Sequence, residues 1–232
     1  NSTVCKKYDH QDLNALEPFT KVIPTEENIA NVFFNQVQEV FQNETATPFA
    51  CYVKSSNLKS ATYYRTGVTE SCYSFEFLYP VSVNTVCNLD IERTVVYPIK
   101  LKLVLNEYIN YSDLERLVEK CQEKVLKNNG VADSLGSVAK EIFNMFGTDL
   151  NLSRVRVDTK DSFAEYLGND ETVLGQRGVF FAAHVLGKLR FTENEREKYF
   201  GKCRFQHGHD FKYEVAIKLK YNKNCLQQAE TD

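Results

Sequence analysis

No stretch of this sequence approaches the roughly 20 consecutive apolar residues that a membrane-crossing helix needs, so no membrane partner is expected. Positive charge is not in excess either. Lys and Arg number 28 against 31 Asp and Glu, a formal net charge of -3, which disfavours nucleic acid and anionic lipid as partners. The seven cysteines lie far apart and form no CxxC pair, which excludes a dense disulfide framework and suits a reducing, cytoplasmic setting. A signal-peptide pattern is lacking, and the chain opens on Asn1 without an initiator methionine, which leaves open a trimmed chain, a processed one, or a sequence given without its disordered parts. Four N-x-S/T sequons, Asn43-Glu44-Thr45 among them, are of a kind that also arises by chance in cytosolic proteins. There is no glycine-rich phosphate loop.

What is present is an ordinary globular composition, 43% hydrophobic and 25% charged over 232 residues, which is enough for one large domain or two small ones. Its most informative feature is internal repetition. From Thr25, a natural N-cap, Ile29, Ala30, Phe33, Phe34, Val37 and Val40 follow at helical spacing. A strand over Phe49–Ser55, a polar turn and a second strand near Ala61–Tyr64 come next, ending at Gly67. The same layout returns with Val138, Ala139, Ile142, Phe143 and Phe146 on one helical face. Strands at Leu152–Asp158 and Phe163–Tyr166 and then Gly168 complete it.

A second layout also occurs twice. Tyr73–Tyr79 precedes a longer strand, Thr94–Asn106, and Gly178–His184 precedes Phe211–Tyr221. Tyr97–Asn106 aligns with Tyr213–Asn222 without a gap, and only the middle copy continues into a helix, Asp113–Lys127. The expected organisation is therefore a complete central unit, residues 68–168, flanked by complementary halves of another, 1–67 and 172–232. Hairpins with helices on one face make the fold class α+β. Two explanations stay open for the missing helix: a permuted, incomplete terminal unit, or an omitted connecting segment.

Three of the four histidines cluster. His207 and His209 are two apart in an extended strand and so share a face, and His184 on the preceding strand is placed to oppose them. Three imidazoles converging on one face suit zinc, with a fourth position open to water or substrate. A lone H-x-H pair on a strand is often mere surface. The concentration of histidine here argues otherwise.

The segments Phe180-Phe181-Ala182-Ala183-His184, Gly201-Lys202-Cys203 and His207-Gly208-His209-Asp210-Phe211 resemble the signature of the 6-pyruvoyltetrahydropterin and 6-carboxytetrahydropterin synthases. Tyr8-Asp9-His10-Gln11-Asp12-Leu13-Asn14 resembles that family's L-D-H-x-x-L-N motif, and Pro24-Thr25-Glu26-Glu27-Asn28-Ile29-Ala30 its P-T-x-E-N-x-A helix start. The resemblance implies a T-fold with two tandem units, an oligomeric β-barrel and a homo-oligomer, a trimer or a dimer of trimers. It implies Zn2+ on His184, His207 and His209, Cys203 as the proton-abstracting thiolate, and Asp9 with His10 as an acid–base pair, with active sites between units. The bland alternatives are an inert buried thiol for Cys203 and a turn or capping pair for Asp9 and His10.

The sequence departs from the family where a glutamate anchors the pterin ring. Ser55 stands there in one copy and Asp158 in the other, and only the carboxylate can accept two parallel hydrogen bonds. Ile91 and Arg93 stand where His207 and His209 stand, so the central unit reads as a degenerate copy without catalytic metal. The function the resemblance implies is conversion of 7,8-dihydroneopterin triphosphate to 6-pyruvoyltetrahydropterin with release of triphosphate. Asp158 would bind substrate, and Mg2+ on the triphosphate enters by analogy alone. The alternatives are the sister 6-carboxytetrahydropterin activity and a non-catalytic scaffold.

Overall fold

A computed structural model describes residues 2–42, 46–84, 92–127, 134–147, 149–186 and 190–220. The elements run α1 (Ser2–Tyr8), α2 (Glu26–Val40), β1 (Ala50–Lys54), β2 (Lys59–Tyr64), β3 (Thr69–Asn84), β4 (Glu92–Leu105) and α3 (Tyr111–Lys127). They continue with α4 (Leu135–Phe146), β5 (Leu152–Asp158), β6 (Ser162–Tyr166), β7 (Glu171–His184), α5 (Glu193–Phe200) and β8 (His207–Lys220). All eight strands join one sheet in chain order, each antiparallel to the next. The α+β expectation holds. Within the described residues the sheet is open, with β1 at one edge and β8 at the other.

The helices start where the sequence supplies caps. Thr25 Oγ1 accepts from the Asn28 amide at 3.4 Å, and Ser134 Oγ accepts from the Ser137 amide at 3.2 Å. These oxygens satisfy amides that the first helical turn leaves unpaired. Strand alternation then sorts the two faces of the sheet. Tyr73, Phe75, Phe77 and Tyr79 of β3, Ile99, Leu101, Leu103 and Leu105 of β4, and Val155 and Val157 of β5 all point to one side. There they meet Leu114, Val118, Cys121 and Val125 of α3 and Val138, Ala139, Ile142 and Phe146 of α4 in a single core. The other face carries Lys100, Lys102, Arg154, Arg156 and Asp158.

β3–β4 and β7–β8 are the long hairpins. β6 pairs with β7 only as far as Gln176, so Arg177–His184 and their β8 partners project beyond the shorter strands. Two glycines in β7 admit aromatic rings from neighbouring strands. A Cβ on Gly175 would lie 2.1 Å from the Phe163 ring, and one on Gly178 would lie 2.4 Å from Tyr213. The sequence reading anticipated neither α1 nor α5. Ile91, offered as the counterpart of His207, lies outside the described residues.

Candidate metal centre and active site

The projecting end of β7–β8 carries the histidine cluster. His184 pairs directly with His207, and Ala182 pairs with His209, so the three imidazoles share one face. Their ring centroids are 4.8 Å (His184–His207), 5.0 Å (His184–His209) and 4.7 Å (His207–His209) apart. One nitrogen from each lies within 4.8 Å of the others. Below them Phe211 stacks on Phe180 at 5.1 Å and presents its ring to His184 at 5.8 Å and His209 at 5.7 Å. Rings in edge contact of this kind limit how far the imidazoles can turn.

The protonation pattern of His207 fits a ligand. Its Nδ1 lies 2.7 Å from the Phe205 carbonyl, an acceptor, so Nδ1 donates there, which in the neutral tautomer leaves the Nε2 lone pair for a ligand. That Nε2 is buried and has no hydrogen-bond partner. An unpartnered buried acceptor costs about 1–3 kcal/mol, which a metal ion at this position would offset. A donor set of three imidazoles matches catalytic zinc, with a position left open. These residues fit the group.

The connection from β7 to β8 is tied down from within. α5 opens on a full capping box between Thr192 and Glu195. Arg196 donates to the Leu186 carbonyl at 3.3 Å and to the Arg204 carbonyl, while Arg204 lies 3.2 Å from Glu193 and 3.3 Å from Glu197. Gly201, at φ 52, makes the left-handed turn out of α5 that a side chain would strain. Cys203 sits in the following 3-10 turn, Gly201–Arg204, exposed and unpaired by disulfide, and its carbonyl accepts from the Leu186 amide at 3.4 Å. The buried, inert alternative for this thiol does not hold: the side chain faces solvent just ahead of the histidine strand.

Asp9 and His10 are elsewhere. They form the exposed turn that ends α1, with His10 in the left-handed region at φ 56 and its Nε2 3.7 Å from Asp9 Oδ1. The turn is anchored by Tyr8, which is buried against Phe19 and Phe33 and whose hydroxyl accepts from Gln36 at 2.6 Å. α1 rides on α2, which covers β1 and β2. Seven strand-to-strand steps at ~4.8 Å put that edge roughly 34 Å from β8 along the sheet. One chain alone does not bring Asp9 and His10 to the histidines.

Asp158 ends β5 on the face away from the helices, almost wholly buried. Its carboxylate accepts from Lys102 at 3.0 Å, from Arg156 Nε at 3.1 Å and from Arg177. Glu214 of β8 closes the network, accepting from Arg156 at 3.2 Å and Arg177 at 2.9 Å, and Arg156 stacks on Phe163 at 3.8 Å. Burial alone would raise the Asp158 pKa. The hydrogen bonds from Arg177 and Lys102 outweigh it and hold the carboxyl below the usual range. A pterin would have to displace one of these cations. Ser55, at the other anchor position, instead donates to Glu26.

Sequence reasoning passed over several of these residues. Arg156 and Asp158 are two apart on one strand, which placed them on a common face. Arg177 and Glu214 had no comparable signal, because only the β7–β8 register brings them together. A second missed cluster joins Lys59 to Glu26 at 2.9 Å and to the buried Glu27 at 3.4 Å, with Ser71 donating to Glu27 at 2.6 Å.

Fold and site together define an α+β protein built on one antiparallel meander, with a three-histidine, metal-type cluster at the end of a projecting hairpin. The family model for 6-pyruvoyl tetrahydropterin synthase matches residues 1–66 and bears out the family resemblance. That stretch includes Asp9, His10 and the Pro24–Ala30 helix start, and it stops short of the histidine cluster. No curated protein and no solved structure matches the chain.

Proposed function

We propose that this chain is a zinc-dependent tetrahydropterin synthase acting on 7,8-dihydroneopterin triphosphate, giving 6-pyruvoyltetrahydropterin and releasing triphosphate. The observation that carries the proposal is the histidine cluster, with the buried and unpartnered Nε2 of His207 at its centre. The family match over residues 1–66 supports the pterin class of substrate. His184, His207 and His209 would hold the ion, whose chemistry there is that of a Lewis acid polarising a substrate oxygen.

The remaining roles fall to the chain's own groups. Cys203, exposed on a turn fixed by Arg196 and Arg204, is the group whose thiolate would take a proton from the substrate side chain. His10 returns a proton, with Asp9 orienting its imidazole from 3.7 Å. Because these two stand at opposite edges of the sheet, turnover requires a homo-oligomer that joins the edges; the family suggests a trimer of tandem units or a dimer of such trimers. Residues 68–168 act as the degenerate unit and the ends as complementary halves.

A second reading, a pterin-family scaffold without turnover, draws on one observation: both anchor positions are engaged, Asp158 by three cations and Ser55 by Glu26. Incubation with dihydroneopterin triphosphate and chromatographic separation of the products decides between the two. A tetrahydropterin product that disappears with Cys203→Ala establishes the enzyme, and its side chain separates the 6-pyruvoyl from the 6-carboxy branch. Zinc retention without product establishes the scaffold.

A further inference from the structure

α5 buries no side chain, so packing into the core does not account for it. Of its polar side chains only Arg196 is shielded from solvent, at 16% exposed, and its three nitrogens go to three separate acceptors. Nε donates to the Leu186 carbonyl at 3.3 Å, two residues beyond His184. One Nη donates to the Arg204 carbonyl, three residues ahead of His207. The other Nη is taken by Glu193 of the same helix at 2.8 Å, which offsets the charge. One planar guanidinium therefore ties the exit of β7 to the approach of β8.

The second of these ties bears on His207. The Arg204 carbonyl belongs to the peptide that leads into Phe205, and the Phe205 carbonyl accepts the Nδ1 hydrogen of His207 at 2.7 Å. Burial does not hold Phe205 in place, because its side chain is 60% exposed. It is held by its own amide, which donates to the Lys202 carbonyl at 3.3 Å, by the Arg204 guanidinium 4.6 Å over its ring, and by the Arg196 bond one peptide upstream. Arg204 leans in turn on Glu193 and Glu197 of α5. A neutral imidazole in water exchanges between two tautomers. A fixed acceptor at one nitrogen selects the form whose other nitrogen is free to ligate.

We propose that Arg196 is a positioning residue for the histidine cluster. By clamping the Leu186 and Arg204 carbonyls it holds the Phe205 carbonyl where it keeps His207 in the Nδ1–H tautomer, which leaves Nε2 as the ligating atom. This rests on the zinc reading given above. The clamp acts through geometry and not through charge, since Glu193 already balances the guanidinium. Lysine has the charge without the planar fork, so it cannot bridge the two carbonyls in the same way. Outer partners of ligating histidines typically change metal affinity by about 10–100-fold, and Arg196, one peptide further out, belongs at the lower end.

The test uses the full-length chain with Arg196→Met, Arg196→Lys and Glu193→Gln. In metal-free protein at about pH 8, above the ordinary imidazole range, nitrogen-15 shifts show which ring nitrogen of His207 carries the hydrogen. It should be Nδ1 in the wild type and in Glu193→Gln. Both Arg196 variants should move His207 toward a mixture of tautomers, with hydrogen exchange in β3–β4 as slow as in the wild type. Zinc affinity, read by competition with a chromophoric chelator, should fall about tenfold in both Arg196 variants and less than about twofold in Glu193→Gln. An unchanged tautomer in Arg196→Met overturns the proposal, and so does an Arg196→Lys chain that behaves as the wild type. Weaker zinc binding without a change of tautomer reports general loosening and overturns it as well. A wild-type chain that binds no zinc removes the zinc reading, while the tautomer, read without metal, still decides the role of Arg196.

Discussion

Hairpins β3–β4 and β7–β8 start from nearly the same information. Both alternate apolar and charged residues, both pair in the same register, and both run past the short strands beside them. β3–β4 is buried under α3 and α4 and forms the centre of the core. β7–β8 leaves the corresponding side chains in solvent and carries three histidines at its tip. Alternation therefore specifies a sheet with one apolar face, and what lies over that face decides whether it becomes core, seam or site. The covered hairpin contributes stability; the uncovered one is where chemistry and association are possible.

Truncating one apolar side chain in each hairpin separates the covered face from the uncovered one. Leu101→Ala, in the covered hairpin, should destabilise the chain by about 2–5 kcal/mol in urea unfolding, because it leaves a cavity beneath α3 and α4. Ile217→Ala, its counterpart, should cost under about 0.5 kcal/mol in dilute protein. Equal losses would mean that the two faces are covered alike.

Next in size is the ionic network linking the two hairpins across β5. Asp158→Asn should cost about 1–3 kcal/mol by leaving Arg177, Arg156 and Lys102 without their shared acceptor. Because the folded-state pKa of Asp158 is depressed, its contribution is present above the unfolded value of ~3.9 and lost as pH falls through the lower folded value. Stability of the wild type should thus fall below about pH 4 more steeply than that of the variant. A parallel acid limb in the variant would show that Asp158 adds nothing.

A smaller effect sharpens the contrast at the β7–β8 connection. Thr192→Ala should cost about 1 kcal/mol by removing the α5 capping box, and it should loosen the turn bearing Cys203 while leaving the β3–β4 core protected in hydrogen exchange. The smallest perturbation is chemical. At pH 8, alkylation should label exposed Cys203 readily and spare Cys121, whose thiol burial pushes up to about 12. Equal labelling would place Cys121 outside the core.

Much of this was legible in the residues. Thr25 was identifiable as an N-cap, the β4 and β8 strands by strict alternation, and the histidine cluster by the two-residue spacing of His207 and His209. All of these are local signals, readable within a few positions. Relations set by register or by exposure were not legible. The cations on Asp158 come from β4, β5 and β7, and no spacing announces them. α5 has no apolar face, so periodicity could not reveal it, and its stability comes from the cap and the Arg196 and Arg204 tethers. The separation of Asp9 and His10 from the histidines follows from an eight-stranded order that only the fold displays.

Whether His184, His207 and His209 form the proposed metal centre is read from zinc content by elemental analysis after exhaustive dialysis. The wild type should retain about one zinc per chain, as a three-histidine site requires, and His207→Ala should retain almost none while keeping its fold. A wild-type chain without zinc, or a His207→Ala chain that keeps it, would rule out a metal centre at these three histidines.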